Sequence, residues 1–248
     1  MYSTGLIIQA RTTSTRLPGK VILPFDNQRS ILEILIDRLK NHFNKEKIIV
    51  ATTTNPEDDT IVGLCKKTNT AYYRGDENNV LQRFIEAAEK FDIRNIVRIN
   101  ADNPFLLPGY IQNLIDRFNE VDYLSYCFDD GTPVIKSHIG LFAEMTRLET
   151  LKKVARLTGE PLYREHVTNY IYSHPQKFKI NLLPLPGLIK NRKDIRLTVD
   201  TKRDFEMARE IYKKTGEKNL DIEHLITLID NNSDWKTIML KEIKNNAK

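Results

Sequence analysis

Three cations follow the first apolar segment of the chain, and their spacing suits a polyphosphate ligand. Residues 6–8 form a short apolar run that predicts a buried strand, and a polar stretch with Arg11, Arg16 and Lys20 comes directly after it. We call residues 10–20 the basic loop. Arginine offers a planar fork of donors and lysine a mobile point charge, while hydroxyls and backbone N–H groups meet the remaining phosphate oxygens. The GxxxxGK[ST] spacing of a Walker A loop is absent, and a solvated basic turn is the alternative.

Two aspartates come directly after apolar segments further along the chain. Asp102 follows residues 96–99 in the string NADNP, and Asp200 follows residues 195–199 in RLTVDTKRDFE, where Thr201 can cap the next helix. Magnesium commonly uses one or two protein carboxylates and takes its other ligands from phosphate and water. A metal site is therefore one interpretation. An Asx turn at Asp102 and a favourable helix-terminal charge at Asp200 are the alternatives.

Strand and helix patterns alternate over the first half of the chain, which predicts a mostly parallel sheet covered by helices on both faces. The predicted strands are residues 6–9, 48–52, 71–73, 96–99 and 123–127, and the predicted helices are 31–43, 58–67, 80–91 and 108–118. The polar segments that follow these strands should meet at the carboxyl edge of the sheet, where open α/β sheets bind ligands. Asp58 and Asp59 are interpreted as charges that favour a helix N-terminus.

The pattern becomes irregular after residue 128, although no linker or repeat divides the chain. We predict a single domain over residues 1–248 with an inserted smaller lobe at about 128–192. The later predicted strands are 139–142, 178–183 and 195–199, and the later predicted helices are 147–156, 164–172, 203–214 and 221–230.

Composition excludes several classes of protein. The 248 residues are 40% hydrophobic and 29% charged, as in an ordinary globular protein. No apolar run approaches the roughly 20 residues of a membrane span, and no secretory signal pattern begins the chain, so we expect a cytoplasmic protein. The net charge is +5, but the Lys and Arg residues are spread along the chain with acidic residues between them, which argues against a nucleic-acid partner. Cys65 and Cys127 fit no metal spacing and no disulfide framework.

Six sequence blocks together resemble one protein family. They are QARTTSTRLPGK (9–20), VATTTNPEDD (50–59), YRGDENNVLQRF (73–84), VRINADNPFLLP (97–108), REHVTNYIYSHP (164–175) and RLTVDTKRDFE (196–206). In this order they resemble the cytidylyltransferases that make activated sugars, especially the spore-coat polysaccharide group, and the related CMP-sialate and CMP-3-deoxy-manno-octulosonate synthetases. The resemblance implies a three-layer, Rossmann-like α/β nucleotidyltransferase fold with a mostly parallel mixed sheet. It also implies a Mg²⁺-dependent transfer of CMP from CTP to a small-molecule acceptor, with release of pyrophosphate.

The resemblance assigns roles to particular residues. If CTP is the ligand, Arg11 and Lys20 face the β- and γ-phosphates with Arg16 at the same end, and these roles make Arg11 and Lys20 catalytic together with Asp102 and Asp200. Both aspartates correspond to metal ligands of the sugar-acid enzymes, although Lys202 and Arg203 stand where that family often has Pro-Glu. The expected nucleotide-binding residues are Gln9, Ala10, Arg11, Ser14, Arg16, Lys20, Thr52, Arg74, Asp76 and Asn100.

The resemblance also implies that the inserted lobe at about 128–192 serves the acceptor and dimerisation. The acceptor side is less defined than the nucleotide side. The segment KSHIGLFAEMTRLETL (136–151) resembles both the octulosonate and the spore-coat patterns, with Phe142 in place of an aspartate usual in the second group. The candidate acceptor-binding residues are His138, Glu144, Arg164 and His166. A sugar acid is the expected acceptor. A phosphorylated or phosphonate acceptor and a catalytically silent CTP-binding protein are the alternatives, and a glycosyltransferase lacks support because NADNP is not a DxD motif.

Aromatic residues in the irregular segment favour an assembly. Tyr163, Tyr170, Tyr172 and Phe178 lie among charged residues, a composition typical of interfaces, and similar enzymes pair through the equivalent lobe. We therefore predict a C2 homodimer whose interface includes residues 164–172. The alternative is that these aromatics form the inner face of a helix packed on its own sheet.

Overall fold

A seven-stranded mixed sheet forms the centre of the protein. The computed structural model describes residues 3–43, 48–216 and 220–246. The strands are β1 (Thr4–Gln9), β2 (Pro24–Asp26), β3 (Arg29–Ser30), β4 (Ile48–Thr53), β5 (Ala71–Gly75), β6 (Asn95–Asn100), β7 (Tyr123–Cys127), β8 (Glu144–Arg147) and β9 (Ile180–Pro184). The large sheet has the order β5-β4-β1-β6-β8-β7-β9, and β2 pairs with β3 separately. Only β8 runs antiparallel to its neighbours in the described sheet.

Helices cover both faces of this sheet. They are α1 (Ile31–Lys40), α2 (Asp59–Lys67), α3 (Val80–Lys90), α4 (Pro108–Arg117), α5 (Leu148–Leu157), α6 (Pro161–Glu165), α7 (Asn169–Ser173), α8 (Lys202–Thr215), α9 (Ile222–Asp230) and α10 (Ser233–Asn245). Because successive strand residues point to opposite faces, Leu6 and Ile8 pack into one core and Ile7 into the other. The first core includes α1, α4 and α8, and the second includes α3 and α5. This arrangement confirms the predicted three-layer fold. None of the helices in the described ranges has both the length and the apolar composition of a membrane span.

Two predicted strands are wrong. Residues 139–142 and 195–199 are buried loops outside the strands, and hydrogen bonds join the second loop to His138, which directly precedes the first. The His138 carbonyl accepts the Leu197 N–H at 2.8 Å and the Thr198 N–H at 3.1 Å. Gly140 has φ +64°, and a Cβ there would lie 2.9 Å from Thr198 N, so only glycine allows this close approach. Asp200 therefore follows a docked loop, not a strand.

The predicted helix 164–172 is also wrong, because it is two short helices, α6 and α7. The helix is interrupted at residues 166–168, where Val167 is buried and the Thr168 hydroxyl donates to Glu144 at 2.8 Å.

Two other helices differ from the prediction, since α1 ends three residues before Phe43 and α10 lies beyond every predicted helix. The segment predicted as an inserted lobe contributes β8 and β9 to the large sheet. Its boundaries stay a prediction.

The aromatic residues that motivated the dimer prediction face inward. Tyr170 and Phe178 are buried in the second core, and Tyr163 and Tyr172 pack against it. Tyr163 and Tyr170 meet edge to face with their centroids 4.9 Å apart. This packing matches the alternative of an inner aromatic face, so these four residues give no support to an interface.

Candidate active site

Lys20, Asp102 and Asp200 meet at the carboxyl edge of the sheet. The Lys20 ammonium nitrogen lies 2.7 Å from Asp102 Oδ2 and 3.1 Å from Asp200 Oδ1, and it also donates to the Val199 carbonyl at 2.7 Å. Burial alone would lower the pKa of Lys20, but the attraction of Asp102 and Asp200 outweighs it, so the pKa is raised. Lys20 therefore contacts both of the aspartates that were predicted to lie at this edge.

The donors in this cluster fit a magnesium ion that shares its shell with a ligand. Asp102 and Asp200 both contact one nitrogen, so a cation placed between them reaches both carboxylates. Among the described residues no group of three His, Cys, Asp or Glu side chains forms a metal cage. Two carboxylates with phosphate and water oxygens match the ordinary magnesium site, provided that the Lys20 ammonium moves aside.

A hydrogen bond from Arg196 orients the carboxylate of Asp200. It is fully buried and forms a two-point ion pair with Asp204, Nε at 2.8 Å and Nη2 at 2.7 Å, and Nη2 also lies 3.2 Å from Asp200 Oδ2. Asp204 in turn accepts the Asp200 N–H at 3.0 Å and completes a capping box with Thr201. Thr201 was predicted as the cap of this helix, but no local pattern indicated Arg196.

The basic loop folds around the carbonyl of Thr12. The N–H groups of Ser14 and Gly19 both donate to that oxygen at 2.8 Å, and Gly19 takes φ +70° to do so. Arg11, which is partly exposed, lies 3.3 Å from Glu165 in α6. Arg16 is exposed, and its Nη2 lies 3.5 Å from Asp200 Oδ1. All three loop cations therefore border the same carboxyl edge.

Asp58 was missed by the sequence analysis, which interpreted it only as a helix-terminal charge. Its carboxylate is fully buried and accepts hydrogen bonds from Thr12, Thr52 and Thr53. Burial raises its pKa, but these hydrogen bonds outweigh burial and lower the pKa below the usual 3.8. Asp58 is therefore a charged group that joins the basic loop to the end of β4.

The side chains of Arg74 and Asp76 form hydrogen bonds to backbone groups of the loops that follow β4 and β5. Arg74 Nε donates to the Thr53 carbonyl and Nη2 to the Asn55 carbonyl, each at 2.8 Å. Asp76 accepts the N–H groups of Asn78 at 2.7 Å and Asn79 at 2.9 Å. The Thr52 hydroxyl is bonded to Asp58, so these three predicted nucleotide-binding side chains all have hydrogen-bond partners within the protein.

Gln9 and Glu144 are connected through one buried arginine. Arg98 Nη2 donates to Gln9 Oε1 at 3.1 Å, and Nη1 donates to Glu144 Oε1 at 2.6 Å. Glu144, only 1% exposed, also accepts the hydroxyls of Thr168 and Tyr123. It is enclosed by these partners, so the structure gives no support to direct contact between Glu144 and an acceptor. Ala10 follows β1 directly and donates its N–H to the Ala51 carbonyl of β4, and Asn100 ends β6 beside Gln9.

The other candidate acceptor residues lie on two sides of the edge. His138 is buried, and its Nδ1 accepts from Arg196 Nη1 at 2.7 Å, which places the proton of a neutral ring on Nε2. Arg164 and His166 are exposed at the end of α6, on either side of the Glu165 that contacts Arg11. The structure thus brings His138 to the Asp200 side and α6 to the side of the basic loop.

Comparison with known proteins gives a consistent result. Residues 6–236 match the family model described as Cytidylyltransferase. The chain is 33% identical to spore coat polysaccharide biosynthesis protein SpsF of Bacillus subtilis over 240 residues, which cover 93% of this chain and 95% of that protein.

Two solved structures share the fold. A cytidylyltransferase from Leptospira borgpetersenii superposes with a TM-score of 0.85 at 30% identity, covering 95% of this chain and 97% of that one. CMP:2-keto-3-deoxy-manno-octonic acid synthetase complexed with CTP superposes with a TM-score of 0.62 at 14% identity, covering 86% of this chain and 100% of that one. The family match spans most of the chain and includes the loops that carry Lys20, Asp102 and Asp200. The protein belongs to the cytidylyltransferase family.

Proposed function

We propose that this protein transfers CMP from CTP to a sugar acid, with Mg²⁺ as cofactor, in the synthesis of a surface glycan. The observation that carries the proposal is the contact of Lys20 with both Asp102 and Asp200 at the carboxyl edge of the sheet. The relative from Bacillus subtilis, named for spore coat polysaccharide biosynthesis, supports the glycan context. The fold similarity to a CTP-complexed synthetase supports the nucleotide.

The reaction forms one bond at phosphorus and breaks another. An acceptor oxygen attacks the α-phosphorus of CTP, the bond from that phosphorus to the bridging oxygen breaks, and pyrophosphate leaves. The proton of the acceptor hydroxyl passes to water. Negative charge grows on the leaving oxygens, so positioned cations are the main requirement. Lys20 and Arg11 supply charge to the β- and γ-phosphates, with Arg16 at the same end. Preorganised donors of this kind are worth about 3 to 4 kcal/mol each.

Asp102 and Asp200 are the residues that would hold the magnesium ion. Such an ion neutralises phosphate charge and lowers the pKa of an oxygen bound to it. Arg196 keeps Asp200 in place through its bond to Oδ2, and the two-point pair with Asp204 keeps Arg196 in place. The chain thus holds two carboxylates in position, and these would bind the ion.

The acceptor pocket has to lie beside the α-phosphate, between the basic loop and the docked loops around His138. His138 lies buried beside Arg196 on the Asp200 side, and Arg164 and His166 offer positive or donor groups from the α6 side. Donors and cations suit the carboxylate of a sugar acid. They would also suit a phosphorylated or phosphonate acceptor, so the test includes both.

Pyrophosphate release provides the test. Each of the four nucleoside triphosphates is incubated with Mg²⁺ and a panel of sugar acids, sugar phosphates and phosphonates, and Asp102→Asn serves as the inactive control. We expect release with CTP and a sugar acid that the control lacks. Release only with a phosphorylated or phosphonate compound would replace the acceptor class. CTP binding without release for any acceptor in the panel would contradict transferase activity and favour a silent CTP-binding protein.

A further inference from the structure

We propose that Asp58 is a positioning residue that holds the basic loop in its nucleotide-binding shape. The inference rests on the proposed function, because it assumes that Arg11, Arg16 and Lys20 serve a triphosphate. Asp58 itself is fully buried, so it acts on the ligand only through the loop.

Five hydrogen bonds converge on the Asp58 carboxylate. Oδ1 accepts the Thr12 N–H at 2.8 Å and the Thr12 hydroxyl at 2.6 Å. Oδ2 accepts the Thr52 hydroxyl at 2.9 Å, the Thr53 N–H at 3.1 Å and the Thr53 hydroxyl at 2.6 Å. One oxygen thus serves the basic loop and the other serves β4. None of the ion pairs in the described ranges includes Asp58, so these five hydrogen bonds, with a longer-range attraction from the buried Arg83, compensate its charge.

The hydrogen bonds between Asp58 and Thr12 affect the whole basic loop through the backbone of Thr12. Thr12 follows Arg11 directly, and its carbonyl accepts the N–H groups of Ser14 and Gly19. Gly19 precedes Lys20, so Asp58, Thr12 and Gly19 form a continuous path from the end of β4 to the cation that contacts Asp102. Without Asp58 the loop would keep its contacts on either side of Thr12, from Thr13 to Glu77 and from Lys20 to Asp102. The Thr12 N–H and hydroxyl would lose their acceptor, so the start of this path would no longer be fixed to β4 through Thr12.

The site requires a carboxylate rather than an amide. Both oxygens face a backbone N–H, Oδ1 at Thr12 and Oδ2 at Thr53. An asparagine would place its NH₂ group against one of these donors in either orientation, and a buried N–H without an acceptor is costly. In both cases the link between the basic loop and β4 is weakened while side-chain volume is kept.

Asp58→Asn tests the inference against a control on the neighbouring helix. Ile61→Ala truncates a buried apolar side chain in α2, which cannot form a hydrogen bond to the loop. Affinity for CTP and for CMP is measured by calorimetry for both variants and the parent protein. We expect Asp58→Asn to lose at least about tenfold more affinity for CTP than for CMP, because the loop cations serve the outer phosphates. Ile61→Ala should lower the melting temperature and leave the ratio of the two affinities unchanged.

A milder matched pair keeps the test decisive if Asp58→Asn fails to fold. Thr12→Val and Thr53→Val each remove one hydroxyl that donates to the same carboxylate at 2.6 Å, one from the loop and one from the strand. Thr12 is only 6% exposed, so its hydroxyl has little access to a ligand. Thr12→Val should reduce CTP affinity relative to CMP, and Thr53→Val should not.

Hydrogen exchange without nucleotide separates this inference from the proposed function. The amides of Ser14 and Gly19 should exchange at least about tenfold faster in Asp58→Asn, and in Thr12→Val more than in Thr53→Val. Unchanged exchange of these two amides in a folded Asp58→Asn protein would overturn the inference. Equal effects of the two threonine variants on exchange would overturn it as well. A parent protein that released no pyrophosphate would refute the proposed function, while the exchange rates would still decide the role of Asp58 in the loop.

Discussion

The ammonium nitrogen of Lys20 lies 2.7 Å from Asp102 Oδ2, in the same position from which it contacts Asp200. One monovalent cation thus neutralises part of the charge of two carboxylates that would otherwise repel each other. A divalent ion bound by both carboxylates has to compete with this ammonium. The contact therefore favours metal binding together with a triphosphate, whose oxygens give Lys20 another partner.

Replacement of Lys20 should expose the carboxylates to metal in the absence of nucleotide. Lys20→Met replaces the charged side chain with an apolar one of similar length. We therefore expect Mn²⁺ to bind the variant at least about tenfold more tightly than it binds the parent protein. Electron paramagnetic resonance of free Mn²⁺ measures this directly. The double variant with Asp102→Asn should lose the gain, and equal Mn²⁺ affinity of parent and Lys20→Met would show that the ammonium does not compete.

The two aspartates should each be essential for turnover. Asp102→Asn and Asp200→Asn keep side-chain shape and remove a metal-binding charge, so we expect each to lower kcat by at least about a hundredfold with the fold intact. Circular dichroism checks the fold, and Asp116→Asn on α4 serves as a control that leaves kcat near that of the parent. Turnover within a few fold of the parent in either variant would remove that residue from the metal site.

Loss of a loop cation should affect the triphosphate more than the monophosphate. Arg11→Ala and Lys20→Ala remove charge proposed to face the outer phosphates, which CMP lacks. We expect a larger loss of affinity for CTP than for CMP in calorimetric titrations. Equal losses for both nucleotides would indicate that these side chains contact the nucleoside or the α-phosphate instead.

Asp58 should make stability depend on pH in acid. Its pKa is lower in the folded protein than the usual 3.8, so its contribution is fully present above that pH and is lost as the pH falls through the folded pKa. The free energy of unfolding of Asp58→Asn should lie below that of the parent near neutral pH, and the difference should shrink below pH 3.8. Urea titrations across this range measure the difference. The difference for Ile61→Ala should stay constant, and a constant difference for Asp58→Asn would argue against a buried charged carboxylate.

Several parts of the site were predictable because they depend on general rules. Apolar runs indicated β1, β4 and β6, and the carboxyl ends of parallel strands meet at one edge, so Lys20 and Asp102 were expected to be close. Asp58 was not, because its partner Thr12 is 46 residues away and an aspartate before a helix usually has a local explanation. The buried run 139–142 resembles a strand in composition, and only its docking against residues 197–198 shows that it is a loop.

The homodimer stays a prediction, but the four aromatic residues that motivated it do not support it. The aromatic side chains of residues 163–178 pack inward, so an interface on this side has to use exposed groups such as Leu157, Leu162 and Arg164. Light scattering of the parent protein should give the mass of a dimer, and Leu162→Glu should shift it toward the monomer mass. A monomeric parent protein, or a dimer that Leu162→Glu leaves intact, would contradict an interface at α6.

The fate of the nucleotide tests the central claim most directly. With CTP labelled at the α-phosphate, Mg²⁺ and the sugar acid that supports pyrophosphate release, mass spectrometry and chromatography follow the label and the released phosphate. We predict that the label appears in a CMP–sugar acid conjugate in an amount equal to the pyrophosphate formed, and that Asp102→Asn forms neither. Label found only in free CMP, or release of single phosphate in place of pyrophosphate, would contradict transfer of CMP.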